Sequence, residues 1–324
     1  MSAIPLSFRK GLHEVGAGNW AWIQPDGSWG YSNSGLIADG GETLLVDTLY
    51  DLAKTREMLA GYRKAVPAAA RIGTLVNTHA NGDHYFGNQL VQAPRIIASR
   101  ACAEEMKDRP PRDRAKQLRD WRSLGEAGVF FHENLGGKFD FENTELVLPN
   151  EVFDDTLVLQ VGGKRVELHN VGPAHTLGDV LVWVPQDRIV YTGDIIFAES
   201  HPIVWDGPIR NWIKACDLMI GWGAEVVVPG HGPVSDLRVV RDTKRYWEYL
   251  TIEARRRFDA GMGEREAADD ISLDGFRSWI DAERIVVNVN SLYREFRGDK
   301  TPPDVFGMCG RMLRWRNARK GATA

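Results

Sequence analysis

The sequence predicts an α/β sandwich over residues 1–235, followed by a helical extension over residues 236–324. Three observations predict it. Strand and helix patterns alternate through the first half, short glycine-separated strands crowd the middle, and strand patterns vanish after Asp236.

Taken in order, residues 31–37 and 43–47 read as strands, with Asp39 and its flanking glycines making the turn. A helix is predicted over 51–66, stopped by Pro67. Residues 72–77 form a short apolar run that reads as a buried strand ending in a polar loop, and 96–98 resembles another. The charged stretch 100–124 reads as one helix. Strands follow at 157–160, 165–170, 180–184 and 189–191. A helix over 211–220 leads to a strand at 225–228, which ends in Pro229-Gly230-His231-Gly232. The long helical pattern 238–260 opens the extension, with Gly261 and Gly263 as stops. No fixed-period repeat and no low-complexity linker interrupts the chain.

With 324 residues, 43% hydrophobic and 26% charged, the chain can bury a sizeable core. A net charge of −4, with basic residues concentrated only in 311–320, argues against a nucleic-acid partner. No segment approaches the roughly 20 apolar residues of a membrane span, and residues 1–18 lack the apolar run of a signal peptide. Cys102, Cys216 and Cys309 are isolated, odd in number and without a CxxC pair. They read as small buried apolar residues in a reducing compartment, so a cytoplasmic location is expected.

Four polar clusters share one layout, each following an apolar strand where the chain turns. They are Thr78-His79-Ala80-Asn81-Gly82-Asp83-His84, Gly172-Pro173-Ala174-His175-Thr176, Thr192-Gly193-Asp194 and Pro229-Gly230-His231-Gly232. Loops at strand ends bring distant sequence positions to one cleft. Imidazole and carboxylate together are zinc ligands, and an open zinc site lowers the pKa of its water toward about 7. Asp47, closing the run Leu44-Leu45-Val46, is placed to orient a ligand from behind.

The order THxNxDH, GPxHTxGD, TGD, PGHG resembles the metallo-β-lactamase superfamily over residues 14–235. The resemblance implies an αββα sandwich with metal at one edge of the two sheets. By position, His79 and His175 would serve a first metal, Asp83, His84 and His231 a second, and Asp194 would bridge them. The sequence departs from the HxHxDH pattern at one place, where Asn81 replaces the second histidine. A neutral amide is a poor substitute for imidazole at zinc, so one tight zinc per chain is expected, two remaining open. Asn81 is then free to hydrogen-bond the substrate or the attacking water.

The expected activity is hydrolysis of an ester, lactone, amide or thioester of a small, largely apolar substrate by metal-bound hydroxide. Asp83 or the metal would manage the proton. Trp29, Tyr31, Tyr85, Phe86, Phe197, Trp205 and Trp212 lie near the loops expected at the cleft mouth, and His201 follows Asp194 closely. Hydrolytic dehalogenation of haloaromatics, an iron-dependent persulfide dioxygenase and a metal-free binding module are the alternatives. A small-molecule partner is expected, with neither nucleic acid nor membrane, and homo-oligomerisation is left open.

Overall fold

The computed structural model describes residues 8–322; the outermost ends of the two predicted regions, residues 1–7 and 323–324, lie outside the described residues. The chain opens with β1 (Gly11–Gly16), β2 (Asn19–Ile23), β3 (Ser34–Asp39) and β4 (Glu42–Val46), then α1 (Leu52–Ala65), β5 (Thr74–Val76), the single turn α2 (Gly82–Tyr85) and β6 (Arg95–Ser99). Three helices follow, α3 (Arg100–Lys107), α4 (Pro111–Arg119) and α5 (Gly125–Leu135). The second half runs β7 (Glu151–Phe153), β8 (Thr156–Val161), β9 (Lys164–Asn170), β10 (Val180–Val184), β11 (Ile189–Tyr191), α6 (Ile209–Trp222) and β12 (Val226–Val228). Among the described residues β12 is the last strand, and α7 (Leu237–Asp259), α8 (Glu264–Asp270), α9 (Ile285–Arg297) and α10 (Val305–Ala322) complete a helical C-terminal region.

Two sheets face each other. The first has seven strands in the order β1-β2-β3-β4-β5-β6-β7, and the second has five in the order β12-β11-β10-β9-β8. Alternation along single strands shows why they stack. On β4, Leu44 and Val46 point into the layer between the sheets, while Leu45 points outward against Met58, Leu59 and Tyr62 of α1. On β10, Val180, Val182 and Val184 enter the same inner layer. Leu181 and Trp183 of that strand face Trp212 and Met219 of α6, beside Trp247 of α7. A strand buried on both faces reads as an unbroken apolar run, as VLVWV does. The result is helix, sheet, sheet, helix.

Two expectations are corrected. The predicted helix over 100–124 is α3, α4 and a 3-10 turn, because Pro110 and Pro111 cannot continue α3 but suit the start of α4. The strands β1 and β2 were not predicted. GLHEVG is mostly half-exposed at a sheet edge and NWAWI is nearly all buried, so neither alternates cleanly.

Candidate metal centre

All four motif loops leave strand ends on one rim of the sandwich. The loop after β5 carries His79 and Asn81 into α2, which presents Asp83 and His84; the others follow β9, β11 and β12. Close approach explains the glycines of the last loop. A Cβ on Gly230 would lie 2.1 Å from Asp194 Oδ1, and Gly232 sits at φ +89° with its notional Cβ 2.1 Å from the Ala198 carbonyl.

The six predicted ligands come together in two groups, His79 with His175 and Asp194, and Asp83 with His84 and His231. Asp194 touches both. Its Oδ2 lies 3.5 Å from His79 Nε2, 3.4 Å from His175 Nε2 and 3.5 Å from His231 Nε2, and its Oδ1 lies 3.1 Å from His84 Nε2. Asp83 Oδ2 is 3.3 Å from His231 Nε2. A tetrahedron with arms of about 2.0–2.1 Å has edges of roughly 3.3 Å, so this spacing suits ligands around a metal. The buried Nε2 atoms of His79 and His84 and Oδ1 of Asp194 have no hydrogen-bond partner. Buried polar atoms are ordinarily satisfied, and these meet around Asp194, between the two groups. The donor set fits a metal.

Hydrogen bonds behind the ring fix which nitrogen faces inward. His175 Nδ1–H donates to the Ile203 carbonyl at 2.7 Å, leaving the Nε2 lone pair toward Asp194. Asp47 holds two ligands. Its Oδ2 accepts from His84 Nδ1 at 2.9 Å and from the Thr78 hydroxyl at 2.7 Å, and Thr78 Oγ1 in turn accepts from His79 Nδ1 at 3.0 Å. Asp47 adopts φ +59°, an uncommon conformation for an aspartate, stabilised by its backbone N–H to Val76 and by Oδ1 on the Thr78 N–H.

Burial and mutual charge set the protonation of the ligands. Burial, reinforced by His79 and His84, lowers the pKa of His175 to about 3 although Asp194 opposes it. Burial also disfavours a charged His231, but Asp194 and Asp83 outweigh it and raise His231 to about 9. His84 is likewise raised, by Asp194 and Asp47 against burial. Burial would raise Asp194, yet His231, His84 and His79 hold it well below the usual carboxylate range.

Asn81 stands beside this ring. Its Nδ2 lies 2.8 Å from His175 Nε2, and its Oδ1 accepts from Arg109 Nη1 at 3.2 Å. Arginine only donates, so the amide oxygen is turned toward it and the NH2 faces the ligands.

The ligands form the floor of a cavity of about 230 Å3. Trp29, Tyr85, Phe86, Phe197 and Trp205 line it, and Phe197 stacks on the His231 ring at 5.2 Å. Three other candidates sit elsewhere. His201 is buried away from the cavity, its Nδ1 donating to the Ile280 carbonyl and its ring against Tyr246 and Trp279 of the C-terminal region. Trp212 is enclosed behind His175, its indole N–H on the Ile195 carbonyl. Tyr31 packs on Phe139 instead. Missed altogether were Tyr50, Arg109, Arg114, Phe130 and Phe131, and from the C-terminal region Arg284, Val305 and Cys309. Apolar and basic residues on helices carry no motif; only the Pro110-Pro111 break marked their neighbourhood.

The model of the metallo-beta-lactamase superfamily matches residues 27–231, and the chain belongs to that superfamily. It is similar to the 2,4-dinitroanisole O-demethylase subunit alpha of Nocardioides sp. (strain JS1661), 23% identical over 255 residues, 76% of this chain and 62% of that one. It is also similar to the metallo-beta-lactamase type 2 of Bacteroides fragilis, 27% identical over 31% of this chain and 42% of that one. Among solved structures, a stereoselective inverting sec-alkylsulfatase from Pseudomonas sp. superposes with a TM-score of 0.66 at 18% identity. That match covers 91% of this chain and 52% of that one. A metallo-beta-lactamase from Pontibacter korlensis gives 0.56 at 20% identity, over 74% and 99%. The chain thus spans under two thirds of the demethylase subunit and about half of the alkylsulfatase.

Proposed function

We propose that this protein is a zinc-dependent hydrolase acting on an ester, lactone, amide or thioester of a small, largely apolar molecule in the cytoplasm. The observation that carries the reading is the floor of converging imidazoles and carboxylates beneath an aromatic-walled cavity. A metal held there supplies a nucleophile from water at neutral pH and polarises the bond to be cleaved. The chain's own residues do the rest. His84, Asp83 and His231, with Asp194, would hold the tighter metal. Asp83, whose side chain keeps 13% exposure at the cavity floor, is placed to take a proton. Asn81 offers an N–H toward an oxygen of the substrate, held in that orientation by Arg109. Trp29, Phe197 and Trp205 exclude water.

A second reading, substitution at an electron-poor aromatic ring, including dehalogenation, is favoured by the same aromatic wall and by the relative named for dinitroanisole. The test combines elemental analysis of the protein, purified without added metal, with a screen of esters, lactones, thioesters and haloaromatics. Zinc and turnover of a carbonyl substrate, both lost in His231→Ala, are expected. Full activity in metal-stripped His231→Ala would overturn the reading. Oxygen consumption with a persulfide, and no hydrolysis, would replace it with redox chemistry.

A further inference from the structure

Three arginines line the cavity, and they differ in how their charge is answered. Arg109 meets Glu105 at 2.5 Å. Arg284 is buried, pairs with Asp281 at 2.9 Å and lies between the rings of Trp29 and Phe197. Among the described residues, Arg114 makes no ion pair. Its Nη1 donates to the Gln117 amide oxygen at 2.8 Å, and its guanidinium covers the Phe131 ring at 4.7 Å. Buried Tyr50 lines the same cavity, its hydroxyl close enough to Arg114 to feel that charge. Asp108 and neighbouring Asp113 also line the cavity, both exposed, and Asp113 lies 4.0 Å from Arg112.

The position of Arg114 on its helix is unusual. Arg112, Asp113 and Lys116 of α4 face solvent, while Pro111, Ala115 and Leu118 form the inward stripe, at the spacing of one helical face. Arg114 lies on that stripe, three residues after Pro111 and four before Leu118. Arg114 is half-buried, held over the Phe131 ring with no carboxylate of the described residues paired to it, so its charge is available to an anion entering the cavity. Guanidinium is the side chain best suited to that task here, being planar, weakly hydrated and matched to a carboxylate. Burial raises the pKa of Tyr50 to about 12, so its phenol keeps its proton at neutral pH and remains a donor.

We propose that Arg114 and the Tyr50 hydroxyl form a subsite for a carboxylate, so that the substrate is an apolar molecule carrying an anionic carboxylate apart from the bond that is cleaved. This rests on the hydrolase reading and names its substrate class. The carboxylate is a handle that undergoes no chemistry. It selects the substrate and fixes which end of it reaches the metal floor.

The test uses the full chain, metal-loaded and metal-stripped, with three probes of one shape: benzoate, its neutral counterpart benzamide, and benzenesulfonate. Calorimetry is expected to show benzoate binding at least tenfold tighter than benzamide in both forms. Arg114→Met should abolish that preference, while Arg114→Lys retains part of it; circular dichroism of each variant checks the fold. In kinetics, 4-acetoxybenzoate should have a KM at least tenfold below that of 4-acetoxybenzamide, the gap closing in Arg114→Met. Equal benzoate affinity in wild type and Arg114→Met overturns the subsite. So does a clear preference for benzenesulfonate, which would make the ligand a tetrahedral oxyanion. The two failures separate. Ester turnover without charge discrimination sinks the subsite alone, whereas Arg114-dependent benzoate binding without turnover of any carbonyl substrate sinks the hydrolase reading alone.

Discussion

Asn81 shows how much one side chain changes in a metal centre. The sequence revealed the replaced histidine; only the structure shows that Arg109 holds the amide oxygen away and turns the NH2 toward His175. An NH2 has no lone pair to give a metal, so the group of His79, His175 and Asp194 keeps three donors. A complete structural zinc site contributes about 10–16 kcal/mol, and one ligand fewer weakens the first site by several. Zinc titration of the unmodified protein should therefore give about one tight metal per chain, and Asn81→His should move the stoichiometry toward two. Two tight, equal sites in the unmodified protein would refute this. The same ring predicts a pH profile for the metal-free protein. His231, raised to about 9 by Asp194 and Asp83 despite burial, contributes stability present in full below its unfolded pKa of about 6.5 and lost as pH rises through 9. His175, lowered to about 3 by burial, is neutral in the folded protein. The unfolded chain takes up a proton below about 6.5, so stability also falls on the acid side, until about pH 3. Chemical unfolding with chelator present should show a maximum near pH 6.5, and saturating zinc should remove the alkaline fall, because the metal takes the place of the protons. An alkaline rise in the metal-free protein would contradict the assignment.

Elements position these residues, and their legibility varied for physical reasons. The ligand loops were readable because ligation demands particular residue types at strand ends. Helix α7 was readable because Val239, Val240, Thr243, Trp247, Leu250 and Ala254 recur at helical spacing and are all buried. The cavity wall was not, since Phe130, Phe131 and Arg114 on α5 and α4 look like any core or solvated helix residues. Asp179, just ahead of β10, ends the GPxHTxGD motif, but the sequence assigned it no role. It closes the His175 loop, accepting from the Thr176 N–H at 3.1 Å, the Thr176 hydroxyl at 2.8 Å and the Ala174 N–H at 3.1 Å. Burial pushes its pKa well above the carboxylate range against those donors. An amide of the same shape keeps only one of the two acceptor oxygens and turns its NH2 toward an N–H of the loop. Asp179→Asn should therefore lose part of the stability while keeping some loop closure and zinc. Asp179→Ala leaves buried donors unpaired, each costing about 1–3 kcal/mol, and should loosen His175. Denaturant unfolding and zinc content check the pair, and equal behaviour of the two variants would count against a loop-closing role.

At the scale of the whole molecule, the helical C-terminal region is part of the site. Val305 and Cys309 of α10 and Arg284, just ahead of α9, line the cavity together with α4 and α5. His201 belongs to the same junction, where Ser200 pairs with Ile280. Arg284 is its central tie. It is 1% exposed, pairs with Asp281, donates to the Ser200 hydroxyl and the His201 carbonyl, and fills the space between Trp29 and Phe197. Removing one member of a buried ion pair costs about 3–5 kcal/mol, because the other charge stays behind unanswered, whereas neutralising both members is far milder. Arg284→Met fills a similar volume but abandons Asp281, whose side chain is only 11% exposed. It should lower the unfolding free energy by about 3–5 kcal/mol and reduce kcat/KM while leaving zinc content unchanged, since no metal ligand is touched. Adding Asp281→Asn should restore most of the stability but not the activity, because the wall between Trp29 and Phe197 is still altered. Stability within about 0.5 kcal/mol of wild type in Arg284→Met, the range of an ordinary surface substitution, would show that the C-terminal helices and the sandwich are held together elsewhere.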